Sequence, residues 1–152
     1  MNMTQKRDIR HIVVHCTATP QSASVAQILR SFKARGWKAP GYHYIVRPDG
    51  SAASTWPEDR VANGVKGHNA DSLHVAYIGG TDANGHPVDN RTPQQREALR
   101  HIVTLLHAQY PKAMVCGHRD LSPDLDGNGR IEPWEYVKAC PCFDAVKEYA
   151  TV

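Results

Sequence analysis

Ile9-Arg10-His11-Ile12-Val13-Val14-His15 is short, apolar and β-branched, and it reads as the central strand of a sheet. Beyond it, helix and strand alternate along the chain. Ser24 opens a helix with Gln27 three residues on, the spacing of a capping box. Val25, Ile28, Leu29 and Phe32 then fall on one apolar face, and Gly36 stops the helix. Residues 42–47 form a second strand, and the turn Pro48-Asp49-Gly50 returns residues 51–55 as its hairpin partner. Residues 73–78 make a third main strand, closed by Gly79-Gly80. Thr92-Pro93-Gln94-Gln95 starts the longest helix, with a cap, a proline at the first helical position and a capping-box glutamine. Leu99, Ile102, Val103 and Leu106 are its buried face. Residues 113–116 are a last strand, and residues 142–149 a short terminal helix. The expectation is an α/β fold, a central mixed β-sheet flanked by helices, in one domain over residues 1–152.

Composition narrows the function. With 41% hydrophobic and 22% charged residues the chain is an ordinary globular protein rather than a disordered one. At 152 residues it can bury about two-thirds of its unfolded surface without disulfide staples. A net charge of +3, with no basic run or aromatic-interleaved patch, argues against a nucleic-acid partner and only slightly favours a polyanion. No stretch is long and apolar enough for a membrane span, and residues 1–10 lack the apolar core of a signal peptide. The protein is therefore expected to be made in the cytoplasm and to act after release, or to be secreted with its leader removed. The spacing of Cys16, Cys116, Cys140 and Cys142 is not that of a small stapled scaffold; Cys16 and Cys116 read as buried free thiols.

Three positions carry metal chemistry. His15 ends the first strand, His118 comes after the last one in Gly117-His118, and Cys140 lies in Lys138-Ala139-Cys140-Pro141. In α/β folds ligands gather at strand ends and the loops after them. Two histidines and one cysteine would leave a tetrahedral zinc with one open position, the mark of a hydrolytic rather than a structural site. Cys142, two residues on, competes with Cys140 as the sulfur ligand and otherwise reads as a core thiol on the final helix.

The ordered set of short motifs resembles the zinc-dependent N-acetylmuramoyl-L-alanine amidases of the phage T7 lysozyme type, relatives of the peptidoglycan recognition proteins. It comprises Val13-Val14-His15-Cys16-Thr17-Ala18-Thr19, Gly36-Trp37, Gly41-Tyr42-His43-Tyr44, Asp49-Gly50, Gly67-His68-Asn69 with Ser72, Gly79-Gly80, Thr92-Pro93-Gln94, Gly117-His118 and Lys138-Ala139-Cys140-Pro141. Each piece is weak alone; the order, covering nearly the whole chain, is specific. The resemblance implies a T7 lysozyme-like fold and zinc held by His15, His118 and Cys140. It also implies Tyr42 and Lys138 as catalytic residues, and hydrolysis of the amide between N-acetylmuramic acid and the first L-alanine of the stem peptide. A monomer acting on peptidoglycan or muropeptides is expected. The competing expectation is a recognition module that holds muropeptide without cutting it, a state the family reaches by losing its cysteine ligand.

Elementary chemistry fits those roles. Zinc polarises an amide carbonyl and acidifies a bound water to a pKa of about 7. Lys138 can donate to the developing oxyanion. Tyr42, with an ordinary pKa of about 10, is a poor base and suits orienting or relaying. In a regular strand His43 points away from Tyr42 and reads as a packing or hydrogen-bonding residue. His68 and Asn69, in a loop, are candidates for contact with sugar or peptide, while His86, His101 and His107 read as surface residues.

One segment departs from the short form of the family. Asp124-Leu125-Asp126-Gly127-Asn128-Gly129-Arg130-Ile131-Glu132-Pro133-Trp134-Glu135 has the spacing of an EF-hand calcium loop. Its ligands would be Asp124, Asp126, Asn128, the Arg130 carbonyl, Glu132 through water and Glu135. The preceding residues 119–123 do not read as the entering helix of an EF-hand, and the competing expectation is a polar loop whose acids cap a following turn.

Overall fold

The computed structural model describes residues 7–136 and 138–152; residues 1–6 of the polar N-terminal stretch lie outside them. Its elements run β1 (His11–Cys16), α1 (Val25–Ala34), β2 (Tyr44–Val46), β3 (Ala52–Ser54), β4 (Ser72–Tyr77), α2 (Pro93–Gln109), β5 (Met114–Gly117) and α3 (Ala145–Glu148). The five strands form one mixed sheet in the order β3-β2-β4-β1-β5. β1 pairs in parallel with both β4 and β5, β2 is parallel to β4, and the β2–β3 hairpin is antiparallel. The expected mixed sheet with flanking helices is the observed one, and β1 is an interior strand.

Period-2 alternation along β1 and β4 divides the molecule into two layers. Ile12, Val14 and Cys16, with Leu73, Val75 and Tyr77, pack into a core with Leu99, Val103 and Leu106 of α2 and with Phe143 and Tyr149. On the other side, Ile45 and Ile78 pack with Ile28 and Phe32 of α1, while Val13 and Cys116 pack with Val65. His15 and His74 belong to this second face. Both helix starts carry the expected capping boxes, Ser24 with Gln27 and Thr92 with Gln95. The hairpin strands β2 and β3 are shorter than expected, and the terminal helix begins three residues later than expected, after the Asp144 cap. Cys142 therefore precedes that helix, half-buried, rather than sitting on it. All four cysteines are free.

Gln95 does more than cap. It is fully buried, and its amide donates to the Ile78 carbonyl at 2.9 Å and the Val46 carbonyl at 3.3 Å, while its oxygen accepts from the Thr92 amide at 3.0 Å. It thus fastens the start of α2 to the ends of β2 and β4. Gln95→Leu keeps the volume but strands these groups in the core, and each buried unsatisfied group costs about 1–3 kcal/mol. Urea denaturation of the variant is expected to show a stability loss of about 2–4 kcal/mol; a loss below about 1 kcal/mol would mean the fastening is dispensable.

Candidate active site

His15 is fully buried on the α1 side of the sheet, one residue before the end of β1. The β1–β5 register pairs Val14 with Gly117, so His118, the first residue beyond β5, arrives beside His15 with ring centroids 5.0 Å apart. Gly117 must be glycine for a packing reason: a Cβ there would stand 2.6 Å from Cδ of Pro141. The Arg119 amide donates to the Cys140 carbonyl at 2.9 Å. These two contacts seat the 140–141 segment against the start of the His118 turn. Cys140 Sγ then lies 3.8 Å from His15 Nδ1 and accepts the Cys16 amide at 3.2 Å.

The donor atoms of His15, His118 and Cys140 all lie within 4.8 Å of one another. Tetrahedral zinc, with bonds of about 2.0–2.3 Å, needs donors about 3.5 Å apart, so small side-chain shifts suffice. The donor chemistry fits as well. Burial pushes His15 well below the usual histidine range, with His74, His118 and Lys138 adding to the effect. Burial, then Lys138, lowers His118 to about 4. Both imidazoles are therefore neutral at pH 7 and carry a free lone pair. The competing sulfur is turned elsewhere: Cys142 Sγ lies 3.9 Å from Cys16 Sγ and 3.6 Å from the Gly80 carbonyl. Its hydrogen bond with Cys16, then burial, holds Cys142 as a thiol, and Cys16 is pushed up to about 12 by its hydrogen bond with Cys140.

Tyr42 and Lys138 line the same groove as the three donors. Tyr42 packs its ring 5.1 Å from that of His15 and donates to the Cys16 carbonyl at 3.3 Å. Burial, reinforced by Cys140 and Cys16, drives its pKa upward, so it is a phenol donor and not a base. Lys138 is exposed at the groove's rim. The groove continues past Trp37, Gly64, Lys66, His68 and Asn69, so both loop candidates face it. His43 is buried and engaged, its Nε2 at 2.8 Å from the Arg60 carbonyl and its Nδ1 accepting the His74 amide at 3.1 Å. His86 and His101 are exposed and His107 half-buried, away from the groove.

His74 is the residue that sequence reasoning missed. It is fully buried, its Nδ1 is 2.9 Å from His15 Nε2, and its Nε2 is 2.9 Å from Asn69 Oδ1. The available signal was one polar residue between Leu73 and Val75 in an otherwise apolar strand, on the alternation that shares a face with His15 once β1 and β4 are paired.

Among the described residues no α-helix adjoins the 124–135 segment; short 3-10 turns, His118–Leu121 before it and Pro133–Glu135 at its end, stand there instead. Asp124, Asp126 and Glu135 nevertheless present oxygens within 4.8 Å of one another. Their present partners are backbone amides: Asp124 accepts from Gly127 and Gly129, Asp126 from Asn128, and buried Glu135 from Leu125 and Glu132. Asn128 Oδ1 accepts from the Arg130 amide.

The family model for N-acetylmuramoyl-L-alanine amidase matches residues 5–141, which include all three donors. The chain belongs to that family. It is an amidase with a mixed five-stranded sheet. The endolysin of Escherichia phage T7 is 34% identical over 142 residues, 92% of this chain and 85% of the relative. Among solved structures, the Ph2119 endolysin from the Thermus scotoductus MAT2119 bacteriophage superposes with a TM-score of 0.68 at 26% identity, covering 93% of this chain and 84% of the other. The ectodomain complex of the peptidoglycan recognition proteins LCa and LCx with tracheal cytotoxin shares the fold at 21% identity, with a TM-score of 0.69 and coverage of 97% and 84%. No helix among the described residues is long and apolar enough to cross a membrane.

The buried neutral histidines are expected to make the amidase acid-sensitive when no metal is bound. His118 titrates near 6.5 in the unfolded chain and about 4 in the fold. Between those values the unfolded state binds more protons, so stability is complete above about 6.5 and is lost as pH falls towards 4. From pH 7 to pH 5, His118 alone accounts for about 2 kcal/mol, and His15 and His74 shift in the same direction. Urea midpoints of the chelator-treated amidase should fall over this range, and His118→Gln should flatten the fall.

Proposed function

We propose that the amidase is zinc-dependent and hydrolyses the amide between N-acetylmuramic acid and L-alanine in peptidoglycan, as an endolysin-type enzyme acting on the cell wall. The observation that carries this reading is the convergence of His15, His118 and Cys140 at the floor of a groove that also presents Tyr42 and Lys138. A bound zinc would supply Lewis-acid polarisation of the scissile carbonyl and an acidified water. His15 and His118 would hold it through neutral imidazoles and Cys140 through its sulfur, which the Cys16 amide steadies. Lys138, at the rim, donates to the carbonyl oxygen as the carbon becomes tetrahedral, and its charge stabilises that oxygen. Tyr42 keeps its proton, which it donates to the Cys16 carbonyl, and orients the attacking water through its hydroxyl oxygen as an acceptor. His68 and Asn69 contact sugar or stem peptide further along the groove. The complete donor set favours cutting over the recognition-only alternative.

Zinc-loaded protein should clear suspended peptidoglycan and release new L-alanine amino termini. Cys140→Ala should lose both zinc and clearing. Lys138→Met should retain zinc and lose about 10²-fold in kcat, the effect of removing one oxyanion donor. Zinc binding by the wild type without new alanine termini would replace hydrolysis with recognition.

The 124–135 loop is proposed as a calcium site. Its support is the full twelve-position ligand spacing together with the meeting of Asp124, Asp126 and Glu135, with Asn128, the Arg130 carbonyl and water-mediated Glu132 completing the shell. Calcium there would order the chain that leads to Lys138 and Cys140. Calorimetry should show calcium binding to the wild type that Glu135→Gln weakens at least tenfold; absence of heat in the wild type refutes it.

A further inference from the structure

A chain of hydrogen bonds behind the donor cluster determines which nitrogen of His15 carries its proton. It begins at a group that can only donate: the Val65 amide gives its hydrogen to Asn69 Oδ1 at 2.8 Å. That contact identifies the Asn69 atom as oxygen and not nitrogen. The same oxygen lies 2.9 Å from His74 Nε2, so Nε2 must be the protonated nitrogen of His74. His74 is fully buried, with His15 and Asn69 at its two ring nitrogens and the His43 ring stacked alongside at 5.9 Å. A second proton would put an uncompensated charge in the core. Its Nδ1 is therefore a lone pair, and it accepts from His15 Nε2, 2.9 Å away. With its proton on Nε2, His15 has its own lone pair on Nδ1, the nitrogen that faces Cys140 Sγ at 3.8 Å.

We infer that Asn69 and His74 are positioning residues of the amidase, which hold His15 in the Nε2–H tautomer with its Nδ1 lone pair turned to the metal. Metal-bound histidines generally depend on such a partner, whose loss costs about 10–100-fold in metal affinity. Here the partner is a second histidine on the neighbouring strand, and its own orientation is set by a loop amide. Asn69 so joins the metal centre to the groove wall, because it lines the groove while its oxygen serves the relay. Gly64 belongs to the same device. A Cβ at that position would stand 2.2 Å from His74 Nδ1, so only glycine leaves the imidazole where the relay needs it.

The inference rests on the zinc reading for its consequence, but the tautomer can be observed without metal. In long-range proton–nitrogen spectra of the 15N-labelled, metal-free protein, His15 and His74 should each show the Nε2–H pattern. His74→Phe keeps a ring in the space and removes the acceptor. It should disperse the His15 tautomer and weaken zinc about 10–100-fold in competition with a chromophoric chelator. His74→Asn, whose amide oxygen falls near the place of Nδ1, should recover most of that affinity. Gly64→Ala, which leaves His74 in the sequence but displaces its ring, should weaken zinc as His74→Phe does.

An Nδ1–H tautomer for His15 in the wild type overturns the inference, whatever the protein does with zinc. Zinc affinity unchanged in a folded His74→Phe overturns it too, as does equal loss in the Phe and Asn variants, which would make the effect one of packing. A wild type with the Nε2–H tautomer but no zinc binding would sink the zinc reading and leave the hydrogen-bond relay standing.

Discussion

β1 is hydrogen-bonded in parallel on both sides, and the site depends on that constraint. A parallel neighbour on each edge fixes where every residue of β1 stands along the sheet, and a slip by one would turn each side chain to the other face. The apolar residues 12, 14 and 16 go to the α2 core, which holds the register by burial. His15 is thereby forced to the opposite face. The β5 register delivers His118 beside it, and the β4 register delivers His74 behind it. The site is thus a by-product of how the core packs, at the carboxyl ends of adjacent parallel strands, where α/β sheets commonly gather their ligands.

Much of this is legible in the chain. The capping boxes at Ser24 and Thr92, the apolar periodicity of both helices and the β-branched run ending in His15 are local signals, and local chemistry decides them. The candidate donor set is legible because residue type restricts it: few side chains bind metals, and the motif order names three that the fold brings together. Segment ends are harder to read. The second strand spans only Tyr44–Val46, although the His43 backbone just before it still bonds to His74 and Thr55 on either side. His74 stays hidden because its meaning lies in a pairing, and strand pairing is not written in either strand alone. Asn69 reads as a groove residue, and only the fold brings its oxygen to His74.

Electrostatics and packing pull in one direction at the centre. The sheet face that holds His15, His74 and His43 is too dry for charged imidazoles, so each is neutral and must arrange its single proton. Neutral imidazoles are what a metal needs, and the cation Lys138 is kept at the rim where water solvates it. The same dryness holds the Tyr42 proton in place, while hydrogen bonds between sulfurs do most to hold those of Cys16 and Cys142. Cys140, the third donor of the group, turns its sulfur to the Cys16 backbone amide.

The seat of Pro141 against Gly117, with the Arg119–Cys140 hydrogen bond beside it, has a consequence for how this amidase can change. Both ends of the segment between them are clamped at one spot on the sheet rim. Lengthening such a closed loop costs little, about 0.6 kcal/mol for each doubling. The exposed and half-buried stretch 124–134 can then be extended or given a ligand of its own at little entropic cost while His118 and Cys140 keep their places. It is a socket in which new sensing or targeting pieces can be fitted without redesigning the catalyst.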